Sequence, residues 1–251
     1  MATRAAPLNA FVLHHYDWSE TSLILDVFTR EQGRLAVAAK GAKRPYSQFR
    51  SVLLPFQRIL MSLGRTPAGE SEVHNLRGAE WAGGAPMLSG AALFSGFYLN
   101  ELLMKLLARQ DPHPALFDAY VATLPQLAGD DDPRAQAALR AFELTLLREI
   151  GLLPDLSVVT LTQQPVQPRG VYDLHPEAGV VANGDGGVSG ATLLALQAAQ
   201  DAGQHERLSA VCGTALVPLK LTLRNLLHYH LGSPLLRTRQ VMLDVQKLIE
   251  P

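Results

Sequence analysis

Eight arginines and lysines are concentrated in residues 30–65, which contain a single acid, Glu31. The segment therefore carries a net charge of +7 in a protein whose formal net charge is -1. Cations at this density create a local positive field that attracts polyanions, foremost the phosphate backbone of a nucleic acid. The chemistry suggested is non-covalent phosphate binding. The cations are Arg30, Arg34, Lys40, Lys43, Arg44, Arg50, Arg58 and Arg65.

Five of these cations are candidates for phosphate contacts, because turn glycines and aromatic residues are interleaved with them. Gly33 and Gly41 would let a backbone approach closely. The rings of Tyr46 and Phe49 could stack on bases, worth roughly 1–3 kcal/mol each, or could equally belong to the core. We expect Arg58 and Arg65 to be bystanders. The candidates are Arg34, Lys40, Lys43, Arg44 and Arg50, with Tyr46 as a stacking residue.

No pattern supports covalent catalysis. The phosphate-cradling spacing G-x-x-x-x-G-K-[ST] is absent, and the glycines within 184–190 fit a hairpin turn better than G-x-G-x-x-G. His14 and His15 are neighbours in a predicted strand, so their side chains should point to opposite faces and not share a metal. We expect no catalytic residue, no cofactor and no bound metal.

Short strands must position the basic segment. Apolar runs at 10–15, 22–29, 34–40, 52–63 and 72–76 are separated by glycine, proline and polar residues. About five short strands within residues 9–80 predict a small closed barrel, and the oligonucleotide/oligosaccharide-binding (OB) fold is the leading candidate.

From Gly84 the apolar period becomes helical. The sequence predicts a helix around 88–106 that is apolar on most sides, a second over 114–127, and a third that Asp132 caps and Gly151 ends. Residues 156–190 predict a turn-rich subdomain with β-like runs at 158–161 and 180–182. Ser189 then caps a short helix, and a longer helix over 214–231 ends at Gly232 and Pro234.

Composition limits the class of protein. A chain of 251 residues that is 47% hydrophobic can bury a substantial core. Its most apolar stretch is broken by Asn100, Glu101 and Lys105, and the N-terminus lacks the apolar region of a secretory signal, so we expect a cytoplasmic protein without a membrane span. The single cysteine, Cys212, excludes an internal disulfide and is expected in the core.

Several blocks resemble the RecO family of bacterial recombination mediators in order and spacing. VLHHYDWSETSLIL at 12–25, FTREQGR at 28–34, AKGAKRP at 39–45 and LPF at 54–56 resemble its N-terminal barrel. FELTLLREIGLLP at 142–154 and LLHYHLGSPL at 226–235 resemble its helical part. Arg237 to Arg239 resemble its closing segment, with Thr238 in place of the usual serine.

This resemblance implies a DNA repair protein that is not an enzyme. Such proteins bind single- and double-stranded DNA and anneal complementary strands. They associate with RecR, engage the acidic C-terminal tail of single-stranded-DNA-binding protein, and help to load the recombinase. We expect the same partners here, and nucleoid association. The tail has an apolar end and should bind a hydrophobic pocket rimmed by cations, for which the candidates are Lys105, Arg109, Arg140 and Arg148.

One departure from the family concerns zinc. Many members hold the metal with two C-x-x-C pairs in the region equivalent to 156–187, where this chain has no cysteine. Either this region folds without metal or its sequence has been altered; we expect the former, with apolar contacts around Val159 and Val181 replacing the metal. The positions concerned hold Val158, Val159, Thr162, Ala182, Asn183 and Asp185.

The predicted fold class is α+β with several domains. An OB-fold nucleic-acid-binding barrel occupies 1–80, a helical domain 81–155 and a zinc-ribbon-like subdomain without metal ligands 156–190, and the helices of 191–251 complete the helical domain. Two other functions remain open. The barrel could be an adaptor that binds acidic protein segments rather than DNA. A glycan-binding or hydrolytic enzyme is disfavoured, because the basic stretch lacks the paired carboxylates of glycoside hydrolases.

Overall fold

A computed structural model gives the fold of the chain. It describes residues 6–64, 72–84, 86–129, 132–183, 186–232, 236–238, 240–242 and 244. The chain forms two compact units, Met1–Val121 and Ala122–Pro251. The four predicted domain ranges remain predictions; the first compact unit extends beyond the barrel and includes the first long helix.

Five strands close into a barrel in the first unit. They are β1 (Leu8–Asp17), β2 (Leu23–Thr29), β3 (Gly33–Ala39), β4 (Gln57–Leu63) and β5 (Val73–Gly84). The order around the barrel is β1-β2-β3-β5-β4; β3 and β5 are parallel, and β4 closes the circle on β1. A short helix, α1 (Phe49–Val52), lies between β3 and β4 in the sequence. The predicted OB-fold barrel is confirmed.

Alternation along the strands separates the barrel interior from its covered outer face. Ala10 and Val12 on β1, with Val27 on β2, belong to the interior core. Phe11 and Phe28 point the other way and contact aromatic side chains of helix α3 (Pro114–Leu127), with ring centroids 5.4 Å from that of Phe117 in both cases. Helix α3 thereby shields one outer face of the barrel from water.

A β-bulge at Leu13 connects the barrel to helix α2 (Gly90–Leu106). The register shifts between Val12 and His14, so the Leu13 carbonyl needs a partner outside the ladder. Asn100 Nδ2 on α2 donates to this carbonyl at 2.9 Å, and Tyr120 Oη donates to Asn100 Oδ1 at 2.6 Å. Asn100, which interrupts the apolar helix in the sequence, therefore satisfies a buried backbone group.

Helices α4 (Asp132–Glu149), α5 (Gly190–Asp201), α6 (His205–Gly213) and α7 (Leu216–Leu231) lie in the second unit. Helix α4 contacts α6 and α7, and α5 contacts α6. Ser189 Oγ accepts from the Thr192 amide at 3.2 Å and caps α5 as predicted. Gly232 ends α7 in the left-handed conformation, as predicted, whereas Pro234 lies outside the described residues. Cys212 is buried on α6, where burial raises its pKa to about 12.

Several predicted elements have different bounds. Of the apolar run 52–63, only Gln57–Leu63 forms a strand, β4, whereas Val52 belongs to helix α1. Strand β5 extends well beyond residue 76 to Gly84. The helix predicted over 214–231 begins at Leu216, and α6 was missed. Asp132 is the first helical residue of α4 rather than its cap, and the two residues before it lie outside the described part.

The turn-rich subdomain consists of short strands that bury several apolar side chains. It contains β6 (Val158–Val159), β7 (Gln164–Pro165), β8 (Val171–His175), β9 (Gly179–Asn183) and β10 (Val188–Ser189). Val180 and Val188 are fully buried, whereas the predicted packing residues Val159 and Val181 are only half-buried. The predicted run 158–161 ends early, and Leu161 is exposed.

The residues of this subdomain do not fit a zinc site. Zinc ribbons need four nitrogen or sulfur ligands, and the described residues contain no group of three or more candidate ligands. Thr160 follows Val159, one of the positions that correspond to the zinc-binding cysteines. It links its own segment to strand β9 by hydrogen bonds. Its amide donates to the Val180 carbonyl at 3.0 Å, and its hydroxyl accepts from the Val180 amide at 2.9 Å.

No single helix in the described ranges is long and apolar enough to cross a membrane. Helices α6 and α7 reach that length and composition only together, and the pair is bent by 112°.

Candidate nucleic-acid interface

The predicted phosphate-binding residues lie mainly on one loop. Residues 40–50, here called the basic loop, lead from β3 into α1 and pack against the turn between β1 and β2. The Lys43 amide donates to the Thr21 carbonyl at 3.0 Å, and the Gly41 amide donates to Ser22 Oγ at 3.4 Å. These bonds fix the loop at the rim of the barrel.

Three cations of the basic loop face solvent. Lys40, Arg44 and Arg50 are exposed, and no ion pair joins any of them to another residue within the described ranges. Tyr46, in the middle of the loop, is 99% exposed. Its ring is therefore not part of the core and both faces can receive a partner. Exposed cations around an exposed aromatic ring are the components of a single-strand binding surface.

Lys43 is held within the protein. Its Nζ lies 3.1 Å from the Asp17 carboxylate and donates to the Ser19 carbonyl at 3.3 Å. The Asp17 side chain is 76% exposed, so solvent and salt weaken this pair. Lys43 can therefore exchange a carboxylate for a phosphate, but it adds less net positive charge than its three neighbours.

Arg34 is turned inward and does not belong to the exposed surface. Its guanidinium donates to both oxygens of Asp26, at 2.8 and 3.0 Å, and to the Met104 and Leu107 carbonyls. Its side chain is 14% exposed and that of Asp26 is 3% exposed. Because releasing Arg34 would leave a buried carboxylate with a weaker partner, we exclude it from the proposed interface.

Two further cations of the segment are engaged elsewhere. Arg30 forms a two-point contact with Asp118, with both N to O distances 2.9 Å, and this contact raises the pKa of Arg30. Arg58 donates to Asn9 Oδ1 at 3.2 and 2.6 Å. Arg58 remains a bystander in our interpretation, and Arg65 lies outside the described residues.

The two turn glycines differ in their surroundings. Gly33 has a φ of +68°, and a Cβ there would lie 2.0 Å from the Asp111 carbonyl oxygen. The close approach at Gly33 is therefore to the protein's own backbone and not to a ligand. Gly41 has a φ of +74°, and a Cβ there would make an ordinary van der Waals contact with the Arg44 side chain at 3.5 Å.

Aromatic residues near the loop extend the candidate surface. Tyr16 and Trp18, at the end of β1, are 50% and 57% exposed. Sequence reasoning missed both, although a tryptophan and a tyrosine beside a polar turn were a usable signal. The Leu13 bulge lies before His14, and the register from His14 to Asp17 is regular. The His14 ring contacts the Tyr16 ring edge-on with centroids 4.6 Å apart, and its centroid lies 6.0 Å from that of His15. That His14 and His15 point to opposite faces stays a prediction.

The four cations predicted to bind an acidic tail all have carboxylate partners. Lys105 lies 3.4 Å from Glu101, and Arg109 lies 3.4 Å from Asp26, in the first unit. In the second unit, Arg148 lies 2.9 Å from Asp201, and Arg140 lies 2.7 Å from Glu143. Arg140 is nearly buried, so we exclude it as a peptide contact, whereas the other three are about 40% exposed.

Comparisons with known proteins agree with this architecture. The family profile Recombination protein O N terminal matches residues 5–84, and Recombination protein O C terminal matches residues 87–239. The chain belongs to the RecO family. The first RecO profile covers the barrel and the basic loop, and the second covers the helices and the turn-rich subdomain.

Curated relatives match over nearly their full length. A DNA repair protein RecO of Verminephrobacter eiseniae is 51% identical over 251 residues, which cover 98% of this chain and 99% of the relative. Proteins of the same name from Polaromonas naphthalenivorans and Delftia acidovorans are 52% and 50% identical, over 95% and 98% of this chain and 96% and 99% of the relatives.

The inward and outward arginines should differ in their effect on stability. We expect Arg34→Met to lower the free energy of unfolding by about 3 kcal/mol, because it leaves the buried Asp26 carboxylate poorly compensated. Arg30→Met, which removes the exposed pair with Asp118, should leave the free energy of unfolding nearly unchanged. Urea unfolding followed by circular dichroism measures both. Equal losses would show that the Asp26 site is not buried as described.

Proposed function

We propose that the basic loop binds the phosphate backbone of DNA. The observation that carries this proposal is the exposure of Lys40, Arg44 and Arg50, which form no ion pair within the part of the chain that the structure describes, on the same loop as the fully exposed Tyr46 ring. Lys43 contributes when phosphate replaces Asp17. Such contacts do not read sequence, so binding should be non-specific for single- and double-stranded DNA and strongly salt-dependent.

The same surface supports annealing of complementary strands. Two DNA strands repel each other through their phosphates, and a protein that neutralises these charges while leaving base edges accessible lowers that barrier. The basic loop neutralises phosphates from outside the strand, and stacking on Tyr46 would order a base without occupying its pairing edge. No covalent chemistry is needed, so we propose a DNA repair mediator rather than an enzyme.

Membership of the RecO family supports a role in recombinational DNA repair. From it we propose the partners RecR and the acidic tail of single-stranded-DNA-binding protein, and a contribution to loading recombinase on DNA coated by that protein. These proposals rest on the family and on charge complementarity. Lys105, Arg109 and Arg148 remain the candidates for the tail, because each keeps a partly exposed side chain.

The salt dependence of DNA binding tests the interface. For six neutralised phosphates on duplex DNA, log affinity should fall with log salt at a slope of about -5. Replacing Lys40 and Arg44 together with alanine should flatten this slope by about 2 units, because two phosphate contacts are lost. Fluorescence anisotropy at several salt concentrations measures the slope.

A matched control comes from the same basic segment. The Arg30→Ala/Arg58→Ala variant removes the same number of charges, but from side chains engaged by Asp118 and Asn9. Its slope should stay near that of the wild type. If both variants flatten the slope equally, the loop is not the interface. If the wild type binds acidic proteins but no DNA, the adaptor function replaces this one.

Binding of an acidic peptide with an apolar C-terminal end tests the tail proposal. We expect Arg148→Ala to weaken this binding several-fold, because a rim cation that attracts carboxylates is lost. Arg169→Ala removes an exposed arginine of the same unit and serves as the control. Isothermal titration measures both affinities, and equal values would remove Arg148 from the site.

A further inference from the structure

A groove lies beside the basic loop and is not accounted for by phosphate contacts alone. It has a volume of about 410 Å³, within the roughly 300–1,000 Å³ range of small-molecule sites. The end of β1, the start of β2, the basic loop and the segment that follows α1 all contribute to its walls. All of them belong to the first compact unit.

The groove has both apolar and charged lining residues. Phe49 and Leu54 supply apolar surface; the Phe49 residue is half-buried against the barrel core, and Leu54 is 36% exposed. Lys43 and Arg50 also line the groove, together with His15 and Asp17. The groove thus presents an aromatic ring, two cations and one hydrogen-bond acceptor to a single occupant.

We propose that this groove receives one unstacked base of single-stranded DNA, whose flanking phosphates are held by Arg50 and Lys43. The inference rests on the proposed DNA binding and deepens it. Phe49 offers a ring for stacking, and Leu54 offers apolar contact to the base. The exposed cations Lys40 and Arg44 continue the positive path along the basic loop, so that a strand can pass the groove while one base enters it.

Asp17 favours a nucleobase over an acidic peptide as the occupant. A carboxylate accepts hydrogen bonds from the exocyclic amino groups of bases, as acidic side chains do with cytosine. The carboxylates of an acidic peptide would instead be repelled by it. In the free protein Asp17 lies 3.1 Å from Lys43. When Lys43 turns to a flanking phosphate, the Asp17 carboxylate is released and can accept a hydrogen bond from the amino group of the inserted base.

Base insertion distinguishes single strands from duplex. A paired base in duplex DNA cannot enter the groove without the cost of unpairing and unstacking, whereas a single strand already exposes its bases. The groove should therefore add affinity only for single strands that carry bases. The phosphate contacts of the basic loop should serve both forms of DNA.

The test compares DNA with and without bases. The full-length protein is titrated with a deoxycytidine oligonucleotide, an abasic oligonucleotide of equal length, and a duplex of unrelated sequence. Phe49→Leu removes the ring but keeps apolar volume, and we expect it to weaken binding of the cytidine strand about tenfold. Leu54→Ala should weaken it about threefold. Both variants should bind the abasic strand and the duplex as the wild type does.

Leu60→Ala provides the matched control. Leu60 lies on β4 of the same barrel and is 37% exposed, close to the exposure of Leu54, but it does not line the groove. The Leu60→Ala variant should keep the wild-type affinities for the cytidine strand, the abasic strand and the duplex. Thermal unfolding of each variant establishes that the barrel is intact, and Leu54→Ala carries the test if Phe49→Leu does not fold.

The outcomes separate the two proposals. If the groove variants bind the cytidine strand like the wild type while Lys40→Ala/Arg44→Ala binds it weakly, DNA binding stands and base insertion is wrong. Equal weakening for the abasic strand also overturns base insertion. If an acidic peptide binds the wild type but not Leu54→Ala, and cytidine binding is unchanged, the occupant is a peptide. If no DNA binds, both proposals fail.

Discussion

The buried carboxylate of Asp26 holds Arg34, one cation of the basic segment, away from solvent. A carboxylate 3% exposed at the barrel wall needs full compensation, and Arg34 and Arg109 supply it at 2.8 and 3.4 Å. The same interaction anchors the beginning of β3 to the chain around residues 104–111, where the Gln110 amide donates to the Arg34 carbonyl at 2.9 Å. Arg34 is thereby used for the fold, and the phosphate binding that we propose falls to the basic loop.

Much of the fold could be predicted because local patterns decided it. Alternating apolar residues marked β1, β2 and β3, and the capping serine and terminal glycine marked α5 and α7. Elements decided by tertiary contacts could not be read in the same way. Phe49 and Val52 fit a strand by composition, but both pack against the barrel core from a helical turn, and β5 continues to Gly84 through pairing with β4.

The candidate site was predictable in location but not in detail. Net charge identifies a segment, whereas the partners of each cation include residues far away in the sequence, such as the Asp118 carboxylate for Arg30 and the Met104 backbone carbonyl for Arg34. Tyr46 and Phe49 looked equivalent in the sequence, yet one ring is fully exposed and the other half-buried in a groove wall. The separate roles that we propose for them, stacking on a base outside the groove and inside it, follow from this difference in burial.

We propose that DNA lies along the basic loop of the barrel, and photo-crosslinking tests this most directly. The full-length protein is crosslinked to a single strand that carries bromodeoxyuridine, and the crosslinked peptides are identified by mass spectrometry. Because this chemistry favours aromatic side chains in contact with the base, we expect crosslinks in residues 40–50, on Tyr46 or Phe49, that diminish in Lys40→Ala/Arg44→Ala. Crosslinks confined to residues 122–251, unchanged in that variant, would contradict it.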